Sequence, residues 1–126
     1  MFGTSRAFFM SFGLIGFIIG SPGAALAATL PTGADVVHGQ VELQNPSSDA
    51  MRIIQSSQSA IVNWQSFDIG HGALVDIVQP NIDAAMLSRV VGSNLSEIHG
   101  SLNANGHLYL INPNGILFGS DAQIDV

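Results

Sequence analysis

The chain has 126 residues, with nine acidic side chains against three basic ones, a formal charge of −6 near neutrality, and no cysteine. So few cations cannot neutralise a run of phosphates, which argues against nucleic acid and anionic lipid as partners. No disulfide framework is available, so stability has to come from strand faces buried against one another.

The first segment is a leader. Arg6 precedes thirteen mostly apolar residues, Ala7 to Ile19, followed by Gly20, Pro22 and Gly23 and by the small-residue pattern Ala25-Leu26-Ala27. That order is a secretory signal peptide cleaved after Ala27, which makes residues 1–27 a targeting segment and 28–126 the mature piece. Thirteen helical residues rise roughly 20 Å against about 30 Å of hydrocarbon, so no stable membrane span is expected after its removal. Taking 27 from 126 leaves 99 residues, and the loss of Arg6 leaves Arg52 and Arg89 against nine acids, a formal −7.

In the mature piece apolar residues recur with period two. Val37, Val41 and Leu43 alternate with His38, Gln40 and Glu42, with Gly39 on the apolar side, and Asn45-Pro46-Ser47-Ser48-Asp49 then reads as a loop. Ile82, Ala85, Met86 and Val90 fall at helical spacing behind Asn81. The family resemblance described below suggests instead a turn and then a strand around Leu87 to Val91, which is preferred. Further on, Ile98 and Leu102, then Leu108 and Leu110, then Ala122, Ile124 and Val126 each alternate with polar neighbours. All of these predict strands with one buried face.

Gly and Asn corners punctuate the strands. Asn105-Gly106 has the composition of a two-residue hairpin turn. Asn112-Pro113-Asn114-Gly115-Ile116 is stiffer, because proline pre-sets φ at the second turn position while Asn and Gly tolerate the conformations required at the next two. Short strands with corners every few residues suit a parallel β-helix, whose coils of roughly 20 residues cannot bury their faces alone. A β-sandwich has the same local signature and stays open on these grounds.

The run from Ser96 to Gly119, SEIHGSLNANGHLYLINPNGILFG, resembles the N-terminal secretion domain of the filamentous haemagglutinin family, the haemagglutination activity or two-partner secretion (TPS) domain. Ala60 to Gly70 (AIVNWQSFDIG), Leu30 to Gly33 (LPTG) and Ser88 to Gly92 (SRVVG) extend the likeness over essentially the whole mature piece. Some members carry a further N-P-N-L motif upstream; here the nearest string is Gln79-Pro80-Asn81-Ile82, which is given no recognition role. The resemblance implies an all-β, right-handed, single-stranded parallel β-helix, with room for a side hairpin. It also implies an exoprotein, an adhesin among the candidates, secreted or held at the cell surface of a two-membrane bacterium. The route would run through the Sec export machinery and the periplasm to an outer-membrane β-barrel transporter with periplasmic POTRA domains. Asn112 to Ile116 become the secretion motif, and Asn63, Trp64, Phe67 and Arg89 match the family as core or recognition residues.

No enzyme is expected, and no cofactor or metal. His38, His71, His99 and His107 lack metal-ligand spacing and read as isolated surface histidines. Asp121 and Asp125 fall short of a lyase-type carboxylate cluster, which leaves a fragment of a β-helix polysaccharide-acting enzyme as a lesser reading. An adhesive module that binds host glycan or protein directly through its polar face is another; Trp64 with Phe67 has the composition of a carbohydrate platform, but Trp64 is expected on the core side with Ala60 and Val62. Related secretion domains are about twice this length, so the chain reads as the first part of a longer exoprotein or a truncated one. The mature piece made alone is expected to be marginally stable or to aggregate. A sharp cooperative melt of a monomer in calorimetry would refute that expectation.

Overall fold

The computed structural model describes residues 29–126, so the leader with Ala25 and Ala27 lies outside the described residues. Among the described residues there are eleven strands and no helix. The chain winds as a β-solenoid of about 3 turns. One face is a four-stranded sheet of β1 (Asp35–His38), β4 (Ser59–Trp64), β6 (Ala85–Val90) and β9 (His107–Ile111). A second holds β2 (Val41–Ser47), β3 (Ala50–Gln55), β5 (Leu74–Val78), β8 (Ser101–Ala104) and β11 (Gln123–Asp125). The third and shortest face pairs β7 (Ser96–Ile98) with β10 (Ile116–Phe118).

Successive coils stack in parallel and in register, so each inward residue lies on its counterpart one coil away. Met51, Val75, Leu102 and Ile124 form one column. Ile53, Ile77 and Ala104 form another, as do Ala60, Met86 and Leu108. This register follows from the period-two pattern, because a slip of one residue would turn every apolar side chain outward. Trp64 and Phe67 close the core at one corner, ring centroids 5.4 Å apart and 82° between planes, an edge-to-face contact. Ile53, Val62, Ile69, Val75 and Ile98 are fully buried around them. At roughly 1.5–3 kcal/mol for each large side chain removed from water, these columns are the main favourable term.

The N-terminal strands depart from the coil pattern and from expectation. β1 pairs antiparallel with β4, and β2 antiparallel with β3, so together they cap the first coil. Val37 and Leu43, expected on a buried face, are exposed, and Val41 alone of the three is half-buried. Gly39 is the cause: at φ 84° it breaks the run and sends β1 and β2 to different sheets. The expected loop at Asn45 to Asp49 is mostly strand, with Pro46 tolerated because β2 is an edge strand that bulges between Gln44 and Ser47. The side hairpin therefore falls at β2–β3.

Asn105-Gly106 is not a hairpin. β8 and β9 belong to different sheets, and Gly106 lacks the positive φ of a two-residue hairpin turn. Nor do the residues from Ala85 to Val90 form a helix; they are β6, with Met86, Ser88 and Val90 inward. The helical spacing arises because Ile82, which seeds it, is exposed on the preceding turn.

Gly100 sits where a Cβ would collide with the carbonyl oxygens of Ala73 and Gly70, main-chain atoms of the coil beneath. Gly100→Ala is expected to destabilise the fold by about 2 kcal/mol or more, since backbone rather than a flexible side chain must yield. Urea denaturation followed by circular dichroism measures it, and a midpoint equal to wild type would refute the packing described.

Candidate functional site: the Asn-Pro-Asn-Gly corner

β9 ends at Ile111 and β10 begins at Ile116, so the chain turns from the first face to the third over Asn112 to Gly115. Gly115 N–H donates to Asn112 O at 3.0 Å, closing a four-residue turn with Pro113 in the position that suits its fixed φ. The Asn112 side-chain oxygen accepts from Asn114 N–H at 2.9 Å, the local asparagine turn that this residue type favours. Gly115 takes φ 110°, open to glycine and strained for other residues.

The two asparagine amides also leave their own coil. Asn112 Nδ2 donates to Asn94 O at 3.0 Å and to Ser96 Oγ at 2.9 Å. Asn114 Nδ2 donates to Gly92 O at 2.9 Å and more weakly to Asn94 O. Ser96 N–H in turn donates to Gly115 O at 2.9 Å. These bonds tie the corner to Gly92–Ser96 of the preceding coil, where the strand ladders are interrupted. Ile116 completes the motif by packing against the core from a half-buried position.

The four other residues singled out by the sequence divide into two pairs. Trp64 and Phe67 are core residues and present no surface. Asn63 and Arg89 are neighbours in register on the outer face of β4 and β6, joined by Arg89 Nε–H donating to Asn63 Oδ1 at 3.0 Å. They share an open cleft of about 540 Å³ with Val90, Val91, Gly92, Ile111, Pro113 and Asn114. Through Pro113 and Asn114 the Asn-Pro-Asn-Gly corner thus lies against Asn63 and Arg89 in space, 24 to 51 residues apart along the chain.

Two arrangements escaped the sequence reading. Gln55 and Gln79, both buried, form an amide ladder at another corner: Gln79 Nε2 donates to Gln55 Oε1 at 3.1 Å and to His107 O at 3.0 Å. Gly106 N–H donates to Gln79 Oε1 at 2.7 Å, while Asn105 bonds both main-chain groups of Gln79. The signal was present as a repeat, Met51-Arg52-Ile53-Ile54-Gln55 against Val75-Asp76-Ile77-Val78-Gln79. The second is a histidine pair. His71 and His99 stack at 4.7 Å, each within reach of a carboxylate, Asp121 and Glu97 respectively, so these two histidines are not isolated.

A capped parallel solenoid with side-chain amides holding two of its corners defines a β-solenoid module. Residues 27–126 match the model of the TPS secretion domain, and the chain belongs to that family. It is 43% identical over 106 residues to a heme/hemopexin-binding protein of Haemophilus influenzae, and 39% identical over 102 residues to one from strain Rd. These alignments cover 82% and 81% of this chain and 11% of each relative, so the chain spans about a tenth of their length. The crystal structure of the HMW1 secretion domain from Haemophilus influenzae superposes with a TM-score of 0.71 at 39% identity, over 75% of this chain and 25% of that one.

Asn112→Ala and Asn114→Ala are each expected to cost about 1–2 kcal/mol, the range for an amide that leaves buried or coil-bridging partners unpaired. The double substitution should cost less than the sum, because Asn112 Oδ1 itself holds Asn114. A double-mutant cycle of unfolding free energies checks this, and strict additivity would mean the two amides act separately.

Proposed function

We propose that this domain targets an exoprotein for two-partner secretion and starts its folding outside the cell. The observation that carries this reading is the coil-to-coil bonding of Asn112 and Asn114, which lets one short turn lock two coils together. In the proposed sequence, residues 1–27 direct Sec export and are removed after Ala27. The mature chain crosses the periplasm extended, and an outer-membrane β-barrel transporter receives it through POTRA domains. An unfolded amphipathic strand offers main-chain donors and acceptors with alternating side chains, which suits recognition by strand addition. Burial of stacked strand faces outside then makes return unfavourable, with no need of ATP. The domain acts by being recognised and by folding, without catalysing a reaction.

The relatives support a role in export. One is named for heme and hemopexin and the other for secretion, yet both share this segment with the present chain. A segment common to differently named exoproteins fits a common step. Among the described residues no helix is long and apolar enough to cross a membrane.

Asn112 to Ile116 serve as the nucleating corner in this scheme. Coexpressed with its transporter, the Asn112→Ala/Asn114→Ala variant should reach the medium at a small fraction of wild-type yield. Its denatured form should bind the transporter's periplasmic region as wild type does. Normal extracellular yield would refute the role of the motif, and lost binding would reassign it to transporter contact.

A further inference from the structure

We propose that the Asn63–Arg89 cleft of the folded domain is a binding site for an acidic peptide, seating an Asp or Glu carboxylate on the Arg89 guanidinium and apolar neighbours on Val91 and Ile111. Only two cations occur among the described residues, and they are treated differently. Arg52 faces Asp76 in an ion pair at 3.9 Å. Arg89 makes no ion pair among the described residues, although the chain carries three times as many acids as bases. Asp35 lies opposite Asn63 across the β1–β4 pairing, one strand further from Arg89, and forms no ion pair with it.

The guanidinium is nonetheless held. Its Nε–H is committed to Asn63 Oδ1, and no other hydrogen bond of the group is formed among the described residues, which leaves both terminal amino groups free to donate. A planar fork fixed at one nitrogen and open at the other two suits a carboxylate, which accepts two parallel N–H bonds. The lining residues supply no carboxylate. Its walls are also fixed: Pro113 and Asn114 belong to the turn bonded to Gly92 and Asn94, so little order has to be created on binding.

The lining decides between sources of the carboxylate. Val91 and Ile111 are about half exposed, at 56% and 49%, and flank Arg89 with Pro113. No aromatic ring lines the cleft itself: Trp64 is buried, and Tyr109, exposed on the same sheet, lies opposite Leu87 and outside the lining, so the cleft has no stacking surface of the kind a sugar ring uses. An extended peptide with an apolar residue beside its acid fits both features. This site requires only the folded state and does not depend on the secretion reading.

The test titrates the isotope-labelled chain, under conditions where dispersed amide resonances show it folded, with acetyl-Leu-Asp-Val-amide, its Asn counterpart and sialyllactose, following amide shifts by NMR. The aspartyl peptide should shift Arg89, Val91 and Ile111, and bind about fivefold tighter than the Asn peptide, as expected for an exposed but well-oriented ion pair. Arg89→Gln should abolish that preference. Arg89→Lys, which keeps the charge and loses the fork, should weaken it, as should Asn63→Ala, while Arg52→Gln should leave it unchanged. Equal binding of the Asp and Asn peptides, an equal loss with Arg52→Gln, or wild-type binding by both Arg89→Lys and Asn63→Ala would overturn the proposal. Stronger binding of sialyllactose at these residues would overturn the choice of a peptide.

Discussion

Hydrogen bonds between neighbouring coils are what every other feature of this domain depends on, and at the corners they cannot come from strand ladders. A ladder needs extended backbone, and a corner interrupts it while its main-chain groups still require partners. Side-chain amides fill that gap here. Asn112 and Asn114 do so at one corner, Gln55, Gln79 and Asn105 at another. An amide carries a donor and an acceptor on one planar group, so it can take part in a vertical ladder as a peptide unit does. Apolar side chains cannot replace it, and a carboxylate offers acceptors alone.

The same constraint accounts for the glycines that need special geometry. Gly39 and Gly115 turn the chain with positive φ, whereas Gly100 gives room for the carbonyls of the coil beneath. The two ends of the solenoid differ in consequence. At the first coil, the edges belong to a four-residue strand and to a strand with a proline, and both pairings are bulged, features that discourage pairing with other chains. At the last coil β9, β10 and β11 are regular, and Phe118 and Ile124 stay 54% and 43% exposed at the ends of inward columns.

For export this arrangement separates recognition from stability. A chain without disulfides can stay extended, and its free energy of folding lies in columns that form only as coils meet. In the proposed secretion route, a corner that engages the coil before it on leaving the transporter would lower the entropy cost of that meeting, because one turn fixes the register of two strands.

Much of this was legible in the residues. Period two over Ile98 to Leu110 reports strands with one buried face, and Pro113 between two asparagines reports a rigid turn, because both signals are local steric facts. The family resemblance rested on such runs as well. Local chemistry was insufficient where the outcome depended on the next coil. Asn105-Gly106 has the sequence of a hairpin turn, but Asn105 is committed to Gln79 twenty-six residues away, and the corner follows that bond. Val37 and Leu43 alternate like core residues, but Gly39 places them in a cap that leaves them exposed among the described residues. The meeting of Asn63, Arg89 and Asn114 in one cleft, and the stacking of His71 on His99, were likewise decided by the coil length that sets which residues lie over which. The sequence by itself determined strands and corners, because these depend on bonds a few residues long. Tertiary structure alone decided the vertical partners, because coils of unequal length are brought into register by the columns they bury.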